Sequence, residues 1–288
     1  MHRVIAFLHL PKTGGRTLHG ALRYKYPSAT LSLDSLAEPL EKIAEIPLEE
    51  RRRARVVSGH LHYGVHRYFP QGADYITIMR EPVARVLSMY RFIVGNPKHW
   101  LHDEVAAPGM GLEEFVRTAA DPGVDNEQTR LLSGRGSGEL LSMGPGRRLT
   151  RRDPSKLERD DVEAAKRNLD SCLVVGLTER FDESFLLVRR ALGWRLPMYE
   201  TQNVTKDFKG PRLEPPTPEV IEAIRERNRF DIELYEHARK LFEAAVEREG
   251  ASFRRELGAF RVLNGIPNKL GPRIPASLRH PLRSVLPR

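Results

Sequence analysis

Apolar residues along the chain gather into short runs that stop abruptly at glycine, proline or charge, and helical spacing resumes after each stop. Residues 4–8, VIAFL, are the first such run and read as a buried strand; Pro11, Lys12, Gly14 and Gly15 follow, and a helix-like segment opens around Thr17. The pair Val56 and Val57 predicts the end of another short strand, just before Ser58, Gly59 and His60. Ile76 to Met79 read as a further buried strand, with Arg80 at its end. Pro82 then suits the first turn of an amphipathic helix. Residues 172–194 repeat the order of apolar strand and amphipathic helix, and residues 217–249 read as helical. Strands that run into helices in this way predict an α/β chain.

The first junction has a chemical consequence. A helix start presents unpaired N–H groups and a partial positive charge, and glycines let that backbone approach an anion closely, so PKTGGRT reads as a phosphate cradle. Lys12 adds a mobile full charge. The order differs from GxxxxGK[ST], because Lys12 precedes Gly14 and Gly15, and an ordinary ATP or GTP site is disfavoured. At the second junction Arg80 occupies a strand end, where ligands meet open α/β sheets. Ser88, two turns into the helix, is placed to share an anion with the Arg80 guanidinium. Arg85 lies on the Ser88 face at i,i+3 spacing and is equally suited to pairing with a carboxylate. His60, also at a strand end, has an imidazole suited to removing a proton from a hydroxyl. His62 shares its side of an extended chain. Zinc binding by His60, His62 and His66 is disfavoured, because no cysteine or carboxylate of familiar ligand spacing accompanies them.

HLPKTGGRTL resembles the 5′-phosphosulfate loop of sulfotransferases that use 3′-phosphoadenosine 5′-phosphosulfate (PAPS), and RExxxRxxSxY, built on Arg80, Glu81, Arg85, Ser88 and Tyr90, resembles their 3′-phosphate site. The chain is similar to bacterial carbohydrate sulfotransferases related to heparan sulfate 2-O-sulfotransferase. This resemblance covers about residues 2–245 and implies a P-loop-NTPase-like three-layer sandwich, with a central, mainly parallel sheet flanked by helices. It implies PAPS as donor, bound by Lys12, Thr13, Gly14, Gly15, Arg16 and Thr17 on the 5′ side and by Arg80 and Ser88 on the 3′ side. Lys12 and His60 become the catalytic pair. His62, Asn126, Gln128 and Arg130 become candidates for the acceptor, and Lys209 and Gly210, with Lys206 and Arg212 beside them, for a loop that closes over the nucleotide. Sulfuryl transfer needs no metal, and the expected acceptor is a hydroxylated small molecule or glycan.

The 288 residues, 40% hydrophobic and 30% charged, suffice for one large core. A domain is expected over residues 1–250, followed by a basic, proline-rich extension over 251–288 able to touch an anionic membrane or polymer. No apolar run approaches the ~20 residues that span a bilayer, and no signal peptide is recognised, so the expected location is cytoplasmic. The single Cys172 is read as a core residue. A net charge of +9 suits an anionic donor, while sparse aromatics and the lack of a recognisable module argue against nucleic acid. Two other readings stay open: an ATP-dependent small-molecule kinase with the same sheet, and a noncatalytic nucleotide- or glycan-binding protein.

Overall fold

The computed structural model describes residues 2–33, 42–106, 109–118, 122–135, 157–194 and 214–270, without the side chains of Lys42, Pro122 and 263–270. Five strands, β1 (Val4–Leu8), β2 (Thr30–Leu33), β3 (Val56–Gly59), β4 (Ala73–Met79) and β5 (Val174–Leu177), form one sheet in the order β2-β3-β1-β4-β5. Every pairing is parallel. All residues of β1, β3 and β5 are buried, so side chains pointing to either face of the sheet are covered, as parallel sheets require. That explains why these strands read as unbroken apolar runs instead of alternating ones.

Seven helices bear on the site: α1 (Gly15–Lys25), α2 (Pro82–Val94), α3 (Glu127–Ser133), α4 (Arg159–Asp170), α5 (Phe181–Ala191), α6 (Pro218–Arg227) and α7 (Arg229–Leu270). Pro82 stands in the first turn of α2, and the Glu81 carboxylate accepts hydrogen bonds from the amides of Val83 (3.0 Å) and Ala84 (2.7 Å), a complete N-cap. The outer side of α2 builds a smaller core from Val86, Met89 and Ile93 with Phe115, Val220 and Ile224. The stretch 217–249, expected to be helical throughout, divides at Asn228, whose buried amide is occupied by tertiary hydrogen bonds. Past residue 250, where Gly250 takes a φ of 67° and kinks α7, Phe253, Leu257 and Phe260 return to the main core. Phe260 stacks on Phe185 of α5 at 5.9 Å. The first turns of the expected extension are therefore built into the domain.

Register sets the geometry of the site. Leu8 pairs with Gly59 on one side and with Thr77 on the other, and Met79 pairs with Leu177. The carboxyl ends of β3, β1, β4 and β5 therefore open along one edge of the sheet. The residues immediately past them are His60, His9, Arg80 and Thr178.

Candidate active site

Between β1 and α1 the chain turns through two left-handed residues, Lys12 (φ 67°) and Gly14 (φ 76°). Glycine adopts this conformation without strain; a lysine there costs about 1–2 kcal/mol and is held by its surroundings. The Thr13 hydroxyl donates to the Leu10 carbonyl at 2.9 Å, and the Thr178 hydroxyl lies 2.8 Å from the Thr13 carbonyl and 3.0 Å from that of Met79. Thr178 thus stitches the loop to the end of β4. Gly15 lets the loop close down on His9, since a Cβ there would fall 2.1 Å from the imidazole Cδ2.

His9 is buried, stacked between Phe7 (5.6 Å) and His60 (4.5 Å), and its pKa is pushed down to about 2, first by burial and then by the nearby His60, His19, Arg16 and Lys12. It is a neutral spacer beneath the loop. His60 is half-buried, and its Nδ1 lies 2.8 Å from the His9 carbonyl. A carbonyl only accepts, so Nδ1 carries the proton and the basic lone pair sits on Nε2. His62, by contrast, turns its Nδ1 to the Tyr63 carbonyl at 2.9 Å.

Lys12, Arg16 and Arg80 form a cationic group with no ion pair to any carboxylate among the described residues. Burial lowers the Lys12 pKa to about 8, with Arg80 and Arg16 adding to the effect. Its ammonium rests 3.8 Å from the centroid of the Phe92 ring, a cation–π contact. The Arg80 guanidinium donates to the Lys12 carbonyl at 2.9 Å. Because Ser88 and Phe92 are four residues apart on α2, they share a face, so Ser88 lies on the side of the helix that carries the Lys12 ammonium. The Ser88 hydroxyl makes no hydrogen bond among the described residues. Repelling cations, a glycine turn and a hydroxyl facing one space are suited to an anion with more than one phosphate.

Arg85 takes the other of its two expected roles. It is fully buried, joined to Glu127 by a short ion pair, donates to the Gly123 carbonyl at 2.8 Å, and lies 3.9 Å from Asp231 of α7. The residues around it form the frame of the site. Asn126 takes a left-handed φ of 47°, and both ends of its side chain are used: Nδ2 donates to Arg227 and Asp125, and Oδ1 accepts from the amides of Phe230 and Asp231. Gln128 clasps the backbone of Arg80, accepting from its amide at 3.0 Å and donating to its carbonyl at 2.9 Å. Asp231 in turn accepts from the amides of Gln128 (3.1 Å) and Thr129 (2.7 Å). The structure thus assigns Asn126 and Gln128, expected on the acceptor, to holding the backbone. Arg130 is buried beside Asn126 on a separate surface hollow with Arg227 and Phe230. Lys206, Lys209, Gly210 and Arg212 lie outside the described residues.

Sequence reasoning missed Phe92, Thr178 and Glu179, whose carboxylate receives the Glu81 amide (3.0 Å) and the Tyr235 hydroxyl (2.9 Å). The position of Thr178 was readable in principle, because it directly follows the apolar strand VVGL. Phe92 had no local signal.

The sheet order, the glycine turn and the cations at the strand ends define an α/β protein with a candidate anion site at the carboxyl edge of a parallel sheet. The chain belongs to the galactose-3-O-sulfotransferase family, whose model matches residues 24–265. It is 25% identical over 277 residues to galactose-3-O-sulfotransferase 3 of Bos taurus, covering 88% of this chain and 62% of that protein. It is 30% identical over 186 residues to heparan-sulfate 6-O-sulfotransferase 2 of Danio rerio, covering 58% of this chain and 38% of the relative. Uronyl 2-sulfotransferase of Mus musculus is 25% identical over 236 residues, 75% of this chain and 54% of its own length. The chain therefore spans about three fifths or less of these relatives. The family match begins after the glycine turn, so the role of that turn rests on its own geometry.

Proposed function

We propose that the protein transfers a sulfuryl group from PAPS to a hydroxyl of a glycan. The observation that carries this reading is the 2.8 Å bond from His60 Nδ1 to the His9 carbonyl, which ties a base with its lone pair on Nε2 to the strand that leads into the anion loop.

In the reaction, the S–O bond to the bridging oxygen of the donor phosphate breaks as a new S–O bond forms to the acceptor oxygen, in line, with no covalent enzyme intermediate. His60 Nε2 takes the hydroxyl proton as that oxygen attacks. Lys12 leaves its seat on Phe92 and stabilises the negative charge growing on the bridging oxygen, an electrostatic contribution of the kind that is usually the largest in such reactions. The amides from Gly14 to Thr17 and the Thr17 hydroxyl hold the 5′-phosphate. Arg80 and Ser88 take the 3′-phosphate, with Arg80 positioned by Gln128 from behind.

The test is calorimetric titration with 3′-phosphoadenosine 5′-phosphate beside AMP and Mg-ATP at equal ionic strength. Strong preference for the 3′-phosphorylated ligand, followed by transfer of label from PAPS to galactosides or hexuronides, supports the proposal. Preference for Mg-ATP would replace it with a kinase, and binding without transfer to any glycan would replace it with a noncatalytic role.

A further inference from the structure

Packing does not account for Phe92. The inward positions of α2 are taken by Val86, Met89 and Ile93, while Phe92 is 37% exposed and is absent from both apolar clusters of the fold. What lies over its ring is the Lys12 ammonium, 3.8 Å from the centroid. His99, in the turn after α2, meets the same ring at 5.3 Å and an interplanar angle of 81°, and is itself stacked on Trp100 at 6.0 Å. The His99 Nδ1 accepts a hydrogen bond from the Leu101 amide at 3.2 Å, which places the ring proton on Nε2. Its pKa is pushed down to about 4, first by burial and then by Lys12 and His102, so at neutral pH this imidazole is uncharged.

The surroundings of Lys12 otherwise disfavour its charge. The groups that face it are Arg16 on α1, Arg80 past β4, His9 past β1 and His99 past α2. Both arginines repel an ammonium, both imidazoles are neutral, and no carboxylate pairs with Lys12 among the described residues. An aromatic face attracts an ammonium and has no comparable pull on a neutral amine. The ring therefore works against burial and repulsion, in favour of the protonated form. The backbone of Lys12 is fixed by its left-handed φ of 67° and by the Arg80 guanidinium, which donates to its carbonyl at 2.9 Å. Any relocation of the ammonium runs through its side-chain torsions alone.

We propose that Phe92 is a positioning residue for Lys12: without donor, its ring holds the ammonium charged and in place, and a bound donor phosphate draws the ammonium off the ring. The handover rests on the sulfuryl-transfer reading of the site, whereas the seat itself does not. The consequence is a lysine already protonated when the donor arrives, although two arginines stand beside it.

The experiment is a pH titration by NMR of the full chain carrying lysine labelled with 13C at the ε position, with the Lys12 signal assigned by its loss in Lys12→Arg. Wild type, Phe92→Leu and Phe92→Tyr are compared, each with and without 3′-phosphoadenosine 5′-phosphate. In the free wild type the Lys12 ε-methylene should resonate upfield of the other lysines through the ring current of Phe92. Phe92→Leu should abolish that displacement and lower the titration midpoint by about one pH unit, the size expected for losing a partly desolvated cation–π contact. Phe92→Tyr, which keeps an aromatic face, should retain both properties. With nucleotide bound, the upfield displacement should vanish in wild type, and wild type and Phe92→Leu should titrate alike. Equal midpoints in free wild type and Phe92→Leu, or a midpoint in Phe92→Tyr as low as in Phe92→Leu, overturns the seat. An upfield signal that persists with nucleotide bound overturns the handover. Failure to bind the nucleotide, with the signal still displaced and ring-dependent, refutes the sulfuryl-transfer reading and the handover with it, while nucleotide binding with equal midpoints refutes the seat alone.

Discussion

The clasp between Gln128 and Arg80 offers the sharpest test of how the site is held. Gln128 is 1% exposed and makes two hydrogen bonds, at 3.0 and 2.9 Å, to the backbone of the residue expected to hold the 3′-phosphate. Gln128→Ala removes both and leaves a small void. Each bond contributes about 1 kcal/mol net, and more where its backbone partner is shielded from water, so the folded state should lose about 2–3 kcal/mol. For a chain of this size that lowers Tm by roughly 5–10 °C. The functional effect is selective. With its backbone released, the Arg80 guanidinium should forfeit about half of a charge-assisted contact worth about 1.5–3 kcal/mol, which weakens 3′-phosphoadenosine 5′-phosphate by about four- to twelvefold. AMP, which lacks the 3′-phosphate, should bind unchanged. Calorimetry on both nucleotides at a temperature well below either Tm measures the ratio. If the ratio holds and the acceptor KM rises instead, Gln128 is a substrate contact and the clasp is incidental.

Three further outcomes are expected. Lys12→Ala should lower turnover by about 10²–10³; in the wild type, kcat/KM for PAPS should fall as pH rises through about 8, where Lys12 loses its proton, and Lys12→Arg should move that limb to higher pH, so a profile unchanged by the arginine would exclude Lys12 as its source. Because the folded-state pKa lies below the unfolded value of 10.5, the unfolded chain holds more protons between pH 8 and 10.5, and this group makes folding more favourable as pH rises across that window. His60→Ala should cost about 10²–10⁴ in turnover with nucleotide affinity intact, and a parallel loss of nucleotide binding would make it a structural histidine. Arg85→Met leaves Glu127 and Asp231 as buried carboxylates beside an apolar chain and should destabilise by about 3–5 kcal/mol in urea titration; a loss below about 1 kcal/mol would mean that the ion pair is not the keystone of the frame.

Much of the scaffold was legible because strand-to-helix junctions write themselves locally. Val4 to Leu8 and Ile76 to Met79 are apolar at nearly every position because both faces of the sheet are covered, and Pro82 and the glycines mark the turns beyond them. The role of DNEQTR was not legible. Asn126, Gln128 and Thr129 are polar and inside, and a sequence does not distinguish a polar group that awaits a ligand from one satisfied by backbone a hundred residues away. Phe92 was invisible for a related reason: an aromatic residue on an amphipathic helix reads as packing, and only the fold brings the Lys12 ammonium over its ring.

The frame around Arg80 also has an order in time. Lys12, His60 and Arg80 are all made before Asp231, which lies 103 residues beyond Gln128. At ~5–20 residues per second, synthesis takes roughly 5–20 s to cover that distance. Throughout that interval the emerging chain already contains both proposed phosphate-binding motifs, yet the amides of Gln128 and Thr129 lack the Asp231 carboxylate that receives them in the fold, and the segment that grips Arg80 lacks its anchor. The candidate site is thus encoded early and finished late, by the last helix to leave the ribosome among those described.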